Sequence, residues 1–221
     1  MQWVRVLGKL LISMGVGVFL FIVWTLYGTG IYTQQQQQQL AEEFDRLPAL
    51  ERQTEKGQSF PAGPPPGYDP APGAPIFRMH LPTIEDKPMM VVEGVGTDEL
   101  KLGPGHYPSC RPGFERPLCT SYEESYPGER GRVIVSGHRT TYGMPFWSLD
   151  KMEKGDPIHF ETQWGEYTYL VTGKEVVPAN SDAIVVPSDK YEVVLTTCNP
   201  RYSAAERLIV YAELDMEAAA R

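Results

Sequence analysis

Between Leu10 and Tyr27 the chain carries no charged side chain. The run Leu-Leu-Ile-Ser-Met-Gly-Val-Gly-Val-Phe-Leu-Phe-Ile-Val-Trp-Thr-Leu-Tyr is long enough to cross a bilayer as a helix, which satisfies its own backbone where water is absent. It exceeds the apolar core of an ordinary signal peptide, and no small-x-small cleavage pattern closes it convincingly, so an uncleaved signal anchor is predicted, with a cleaved signal peptide as the alternative. Arg5, Lys9 and the amino terminus precede the run, whereas the next basic residue is Arg46. That bias puts the amino terminus in the cytoplasm and all that follows outside. Trp24 and Tyr27 stand where interfacial aromatics are expected. The reading is a cytoplasmic tail over 1–9 and a single-pass anchor over 10–30, with the remainder at the outer face of the cell membrane.

Past the anchor, Gln34 to Gln39 is a polyglutamine tract, and Leu40 to Leu47 continues as a short helix with too few apolar positions to build a core. Gly57 to Pro75 is rich in proline and glycine and reads as a semi-rigid spacer. A polyproline ligand for a partner domain is the alternative. Residues 31–75 are thus expected to hold a domain away from the membrane and add location only, so a fragment starting near Pro75 should fold alone as a monomer.

The globular part, 76–215, reads as short strands separated by turns, followed by a tail over 216–221. Strands are expected at Ile76 to Leu81, Met89 to Glu93, Arg132 to Ser136, Pro157 to Gln163, Glu166 to Thr172, Glu175 to Val177, Ala183 to Val186, and in two runs around Val193 to Cys198 and Arg207 to Tyr211. Trp164-Gly165 is a hairpin signal, and Thr97 to Leu102 is a short helix. About eight strands with almost no helix indicate an all-β barrel or sandwich. Lys and Arg total 20 against 28 Asp and Glu, a net charge of −8, and nothing in that balance suggests a nucleic-acid binder, which would normally show a basic patch or stripe.

Of three cysteines, Cys110 and Cys119 flank a turn-rich segment and are expected to pair as a disulfide in an exported domain, leaving Cys198 over. If the last two runs pair antiparallel, Cys198 at the end of one lies beside Arg207 at the start of the next, a thiol next to a guanidinium. His138 also follows a strand directly, where an imidazole serves a thiol nucleophile. The other histidines are less well placed: His80 and His159 lie within strands and His106 in a loop. The plain structural reading keeps Cys198 as a buried strand residue and Arg207 as a surface charge. Arg201, just past Cys198, is a competing arginine, but it sits in a loop, and rigid elements position catalytic groups better.

These residues carry a family resemblance. Leu195-Thr196-Thr197-Cys198 with Arg207 resembles the TLxTC-to-Arg signature of sortases, with Val194 where the signature has its first Thr. Ser136-Gly137-His138-Arg139-Thr140-Thr141-Tyr142-Gly143 resembles their histidine segment. Val91-Val92-Glu93-Gly94, Gly103-Pro104-Gly105-His106-Tyr107-Pro108 and Glu206-Arg207-Leu208-Ile209-Val210 are similar to class E sortases of actinobacteria. The resemblance implies an eight-stranded sortase barrel and a cysteine transpeptidase. In it Cys198 would attack the Thr–Gly bond of a carboxy-terminal sorting signal, LAxTG- or LPxTG-like, on a secreted protein. His138 would move protons, Arg207 would hold substrate and oxyanion, and Thr196, Thr197 and Tyr107 would contact the substrate. The resolving nucleophile would be a peptidoglycan-precursor amine, and no cofactor or metal is implied. The alternatives are a pilin-polymerising sortase that uses a protein lysine, or a non-enzymatic anchored β-domain.

Overall fold

The computed structural model describes residues 2–50 and 63–219; Met1, residues 51–62 with the start of the expected spacer, and the 220–221 end of the tail lie outside the described residues. One long helical rod opens the chain: α1 (Gln2–Val23), a π turn (Trp24–Gly28) and α2 (Thr29–Arg46). Its first part buries nothing and is long and apolar enough to cross a membrane.

The eight strands are β1 (Pro75–His80), β2 (Met89–Glu93), β3 (Gly105–His106), β4 (Gly131–Ser136), β5 (Pro157–Thr162), β6 (Gly165–Pro178), β7 (Tyr191–Asn199) and β8 (Glu206–Leu214). They close into a barrel in the order β1-β2-β3-β4-β7-β8-β6-β5, with β5 returning to β1. Most pairings are antiparallel, but β2–β3 and β4–β7 are parallel. The second of these matters most for the site, because parallel neighbours finish at the same end of the barrel. Alternation sorts the side chains: Val133 and Val135 of β4, Val193 and Leu195 of β7, and Leu208 and Val210 of β8 enter one core with Phe77, Phe160 and Trp164.

Several local expectations change. His106 is in a strand, β3, too short to show any periodicity. Glu166 to Thr172 and Glu175 to Val177 are one strand, β6, whose register shifts between Val171 and Gly173. Ala183 to Val186 is not a strand; a 3-10 turn, Asp182–Ile184, occupies it. The β5–β6 turn lies one residue earlier than expected, since Thr162 pairs with Gly165 and Trp164 is fully buried, its Nε1 donating to Pro127 O at 2.9 Å.

Described residues on both sides of the 51–62 stretch, within the expected 31–75 spacer, pack on the barrel. Leu40 and Phe44, one helical turn apart on α2, bury themselves with Met90 and Val92 of β2. The Gln37 amide bridges Met90 and Leu102: Nε2 donates to both carbonyls (3.0 and 2.9 Å), and Oε1 accepts from Met90 N at 2.8 Å. Arg78 lies 5.3 Å from the Phe44 ring and pairs with Asp45 at 2.8 Å. Beyond the undescribed stretch, Tyr68 sets its ring edge-on to Tyr126 and Trp164, with centroids 5.2 and 5.3 Å away. Burying Leu40 and Phe44 is worth about 1.5–3 kcal/mol each. A fragment beginning at Pro75 therefore uncovers part of the molecule's apolar interior.

Candidate active site

Cys198, His138 and Arg207 come from three neighbouring strands whose relevant ends coincide. Because Val193 and Leu195 face the core, Val194, Thr196 and Cys198 face outward; on β8 the same alternation turns Arg207, Ile209 and Tyr211 outward. Cys198 pairs directly with Arg207, and Thr196 with Ile209. Cys198 is a free thiol of intermediate exposure. The Arg207 guanidinium curls onto the β7–β8 turn, its Nη1 donating to Ala204 O (3.1 Å) and Glu206 O (3.0 Å). Among the described residues no carboxylate pairs with it.

His138 lies just past β4. The parallel register that pairs Ser136 with Thr196 continues as Gly137 N donates to Thr196 O at 3.1 Å and Thr197 Oγ1 donates to Gly137 O at 2.7 Å. On the far side of His138, Arg139 Nη1 donates to Cys198 O (3.3 Å) and Asn199 Oδ1 (2.8 Å). The histidine is thus bracketed by two residues bonded to the strand around Cys198. Its ring faces Tyr142, centroids 5.0 Å apart at 33°. Burial holds the imidazole below the usual histidine pKa, which favours the neutral ring at pH 7.

Arg139 and Asp150 were not singled out by sequence reasoning. Arg139, almost fully buried, also pairs through Nη2 with Asp150 Oδ1 at 2.9 Å. Arg201 reaches the same carboxylate oxygen at 3.1 Å, stacks on Trp147 with its guanidinium carbon 4.5 Å from the ring centroid, and donates from Nη2 to Trp147 O at 3.0 Å. The competing arginine is therefore committed to the 147–150 segment. Adjacency in Gly137-His138-Arg139 was the available signal for Arg139; nothing local marks Asp150.

The three expected substrate contacts separate. Thr197 is buried with its hydroxyl bonded across the β4–β7 seam. Thr196 lies on the outward face with Cys198, and its buried hydroxyl oxygen has no hydrogen-bond partner among the described residues. Tyr107 lines two adjoining hollows of about 450 and 350 Å³. The floor of the larger is the outer face of β4 at Arg132 and Ile134, and the two share a wall, the β6–β7 loop at Val185 and Val186. The other wall includes the segment closed by the Cys110–Cys119 disulfide, whose Cα atoms are 4.9 Å apart. Tyr107 is fixed there by its hydroxyl, which donates to Pro117 O. Among the described residues no group of three or more His, Cys, Asp or Glu is arranged to hold a metal ion.

The family model described as the sortase domain matches residues 79–215. Together with the closed eight-stranded barrel, that match defines the class as a β-barrel transpeptidase. The chain belongs to the sortase family, and it is most like the class E members. Sortase SrtE2 of Streptomyces coelicolor is 30% identical over 224 residues, covering 96% of this chain and 82% of the relative. Sortase SrtE1 of the same organism is 28% identical over 95% of this chain and 56% of its own. The crystal structure of sortase E1 from Streptomyces coelicolor with a tripeptide in the active site superposes with a TM-score of 0.52 at 28% identity, covering 66% of this chain and 91% of that one.

Proposed function

We propose that this sortase is anchored in the cell membrane by α1, amino terminus inside and barrel outside. There it cleaves a carboxy-terminal sorting signal of the LAxTG or LPxTG kind between Thr and Gly and joins the protein to a peptidoglycan-precursor amine. The observation that carries the reading is the register: Cys198 opposite Arg207, with the His138 loop bonded to β7 on both sides of the histidine. In the first half-reaction the Cys198 sulfur attacks the threonine carbonyl carbon while its proton passes to the neutral His138 ring. The imidazolium returns that proton to the departing glycine nitrogen as the C–N bond breaks, leaving a thioacyl enzyme. In the second, the incoming amine attacks the thioester, His138 takes its proton, and the sulfur leaves. Arg207, swung off the turn carbonyls, donates to the oxyanion formed in each half. Thr196 and Tyr107 line the path of the bound signal.

Full-length enzyme in detergent, incubated with LAxTG and LPxTG peptides and an acceptor amine, should release a fragment beginning at glycine. Without acceptor it should gain the mass of the acyl portion on Cys198. Cleavage at another bond, or cleavage that survives Cys198→Ala, defeats the reading.

A further inference from the structure

The loop that carries His138 is gripped from two directions, by β7 on one side and by the helix leaving the membrane on the other. Tyr142, the residue whose ring faces the imidazole, has a φ of 50°, a left-handed conformation that L side chains avoid unless their surroundings impose it. Its backbone N–H donates to Thr29 Oγ1 at 3.1 Å. The Thr29 hydroxyl donates its own proton to Thr25 O, one turn back, at 2.9 Å. With that proton committed inside the helix, the oxygen offers the loop an acceptor, which a backbone N–H can use.

Contact continues along both segments. A Cβ added to Gly30 would meet Gly143 N at 3.7 Å, and one added to Gly143 would meet Thr33 Cγ2 at 3.4 Å. Thr33 is in turn buried, its hydroxyl donating to Lys101 O at 2.8 Å. Thr29, Gly30 and Thr33 therefore form one helical seam against the His138 loop, and the seam is fixed to the barrel below it by Gln37, Leu40 and Phe44.

We infer that Tyr142 is a positioning residue for His138, held over the imidazole by Thr29 and Gly30 of the helix that emerges from the membrane, so that the anchor is a working part of the active site. This rests on the proposed role of His138. Thr29 lies just beyond the apolar run that ends at Tyr27, so the seam also stations the catalytic end of the barrel at the level of the lipid headgroups. A flexible spacer would instead let it swivel. A membrane-borne acyl acceptor is then met at a fixed height and orientation.

The test uses the full chain in detergent micelles and reads kcat and KM for sorting-peptide cleavage alongside thermal midpoints. Tyr142→Ala should lower kcat by about ten- to a hundredfold, the scale of a misplaced reacting group, with KM and the midpoint little changed. Tyr142→Phe, which keeps the ring, should restore it. Thr29→Val, which keeps the shape but removes the acceptor, should cost about fivefold in kcat, the reach of one net hydrogen bond; Thr29→Ser should recover it. The His138 ring-proton resonance should lose its ring-current shift in Tyr142→Ala and move in Thr29→Val. Wild-type kcat in Tyr142→Ala, Tyr142→Phe falling as far as Tyr142→Ala, or an unmoved His138 resonance in Thr29→Val overturns the inference. His138→Ala assayed in parallel separates the two readings: activity retained there removes the role of His138 itself. A dead His138→Ala beside a fully active Tyr142→Ala removes only the positioning.

Discussion

His106 and His138 ride on neighbouring strands, one within β3 and the other just past β4, and the barrel treats them in opposite ways. His106 is completely buried, with Nδ1 2.9 Å from Glu93 Oε2 and Nε2 3.0 Å from Ser125 O. Both neighbours accept hydrogen bonds, so the doubly protonated ring satisfies both. Burial pulls the His106 pKa down, but the Glu93 charge and hydrogen bond, with help from Glu124 and Ser125, leave it above the usual histidine value. Glu93 is shared with Arg111, 3.3 Å away, which also pairs with Glu124 at 2.5 Å and so fastens the disulfide segment to the barrel. His138 has burial without a counter-charge: its pKa is lowered, and among the described residues nothing hydrogen-bonds its ring. A fixed cation braces a fold. A neutral ring with uncommitted nitrogens can accept a proton and give it back.

If that contrast is right, the two histidines fail differently. The largest effect should be on chemistry: His138→Ala is expected to lower peptide cleavage by about a thousandfold or more, within the range for loss of a general acid–base group, with a thermal midpoint close to wild type. His106→Gln should do the reverse. Removing one partner of a buried ion pair costs about 3–5 kcal/mol, read by urea unfolding, while turnover per folded molecule stays near normal. A His106→Gln enzyme that is stable but inactive would collapse the distinction.

The two arginines near Cys198 sharpen it further. Arg207→Ala should cost about a hundredfold in cleavage, the usual order for one oxyanion donor, and Arg207→Lys should recover little, because a point charge does not replace a planar fork. Arg201→Ala should cost much less activity, since its guanidinium is spent on Trp147 and Asp150. A greater loss from Arg201→Ala would mean that the strand register is a poor guide to the arginine that matters. Reducing Cys110–Cys119 is a comparably modest perturbation, expected to lower stability by about 2–3 kcal/mol. Non-reducing mass spectrometry should find both thiols protected from alkylation.

The smallest effect is in the pH dependence of stability. For His138 the unfolded chain holds more protons between the lowered folded pKa and about 6.5, so its contribution improves as pH rises towards that value. For His106 the folded chain holds the extra proton; its contribution is complete below about 6.5 and is lost as pH rises through the raised folded value. Glu129, which burial raises to about 7, acts in the same direction as His106 over a lower range. Subtracting the thermal midpoints of His106→Gln from wild type between pH 5 and 8 isolates one term. The difference should shrink as pH rises above about 6.5. A difference that grows instead would rule out a protonated His106.

What the sequence determined alone is what local pattern can encode. A charge-free run specifies a helix that can span a membrane, and alternation specifies strands such as β4, β7 and β8. The order of His138, Cys198 and Arg207 at strand ends was legible because each closes or opens a run of β-branched residues. Tertiary structure decided the rest. β3 is too short to carry a period and exists only because β2 and β4 flank it. Leu40 and Phe44 looked isolated in a polar stretch because the surface they bury against, Met90 and Val92, lies far along the chain. The same holds for Glu93 with His106, for Arg139 with Asp150, and for Thr29 with Tyr142: each is an ordinary polar residue in sequence. Its charge state, geometry or purpose comes from a partner that only the closed barrel brings within hydrogen-bonding distance.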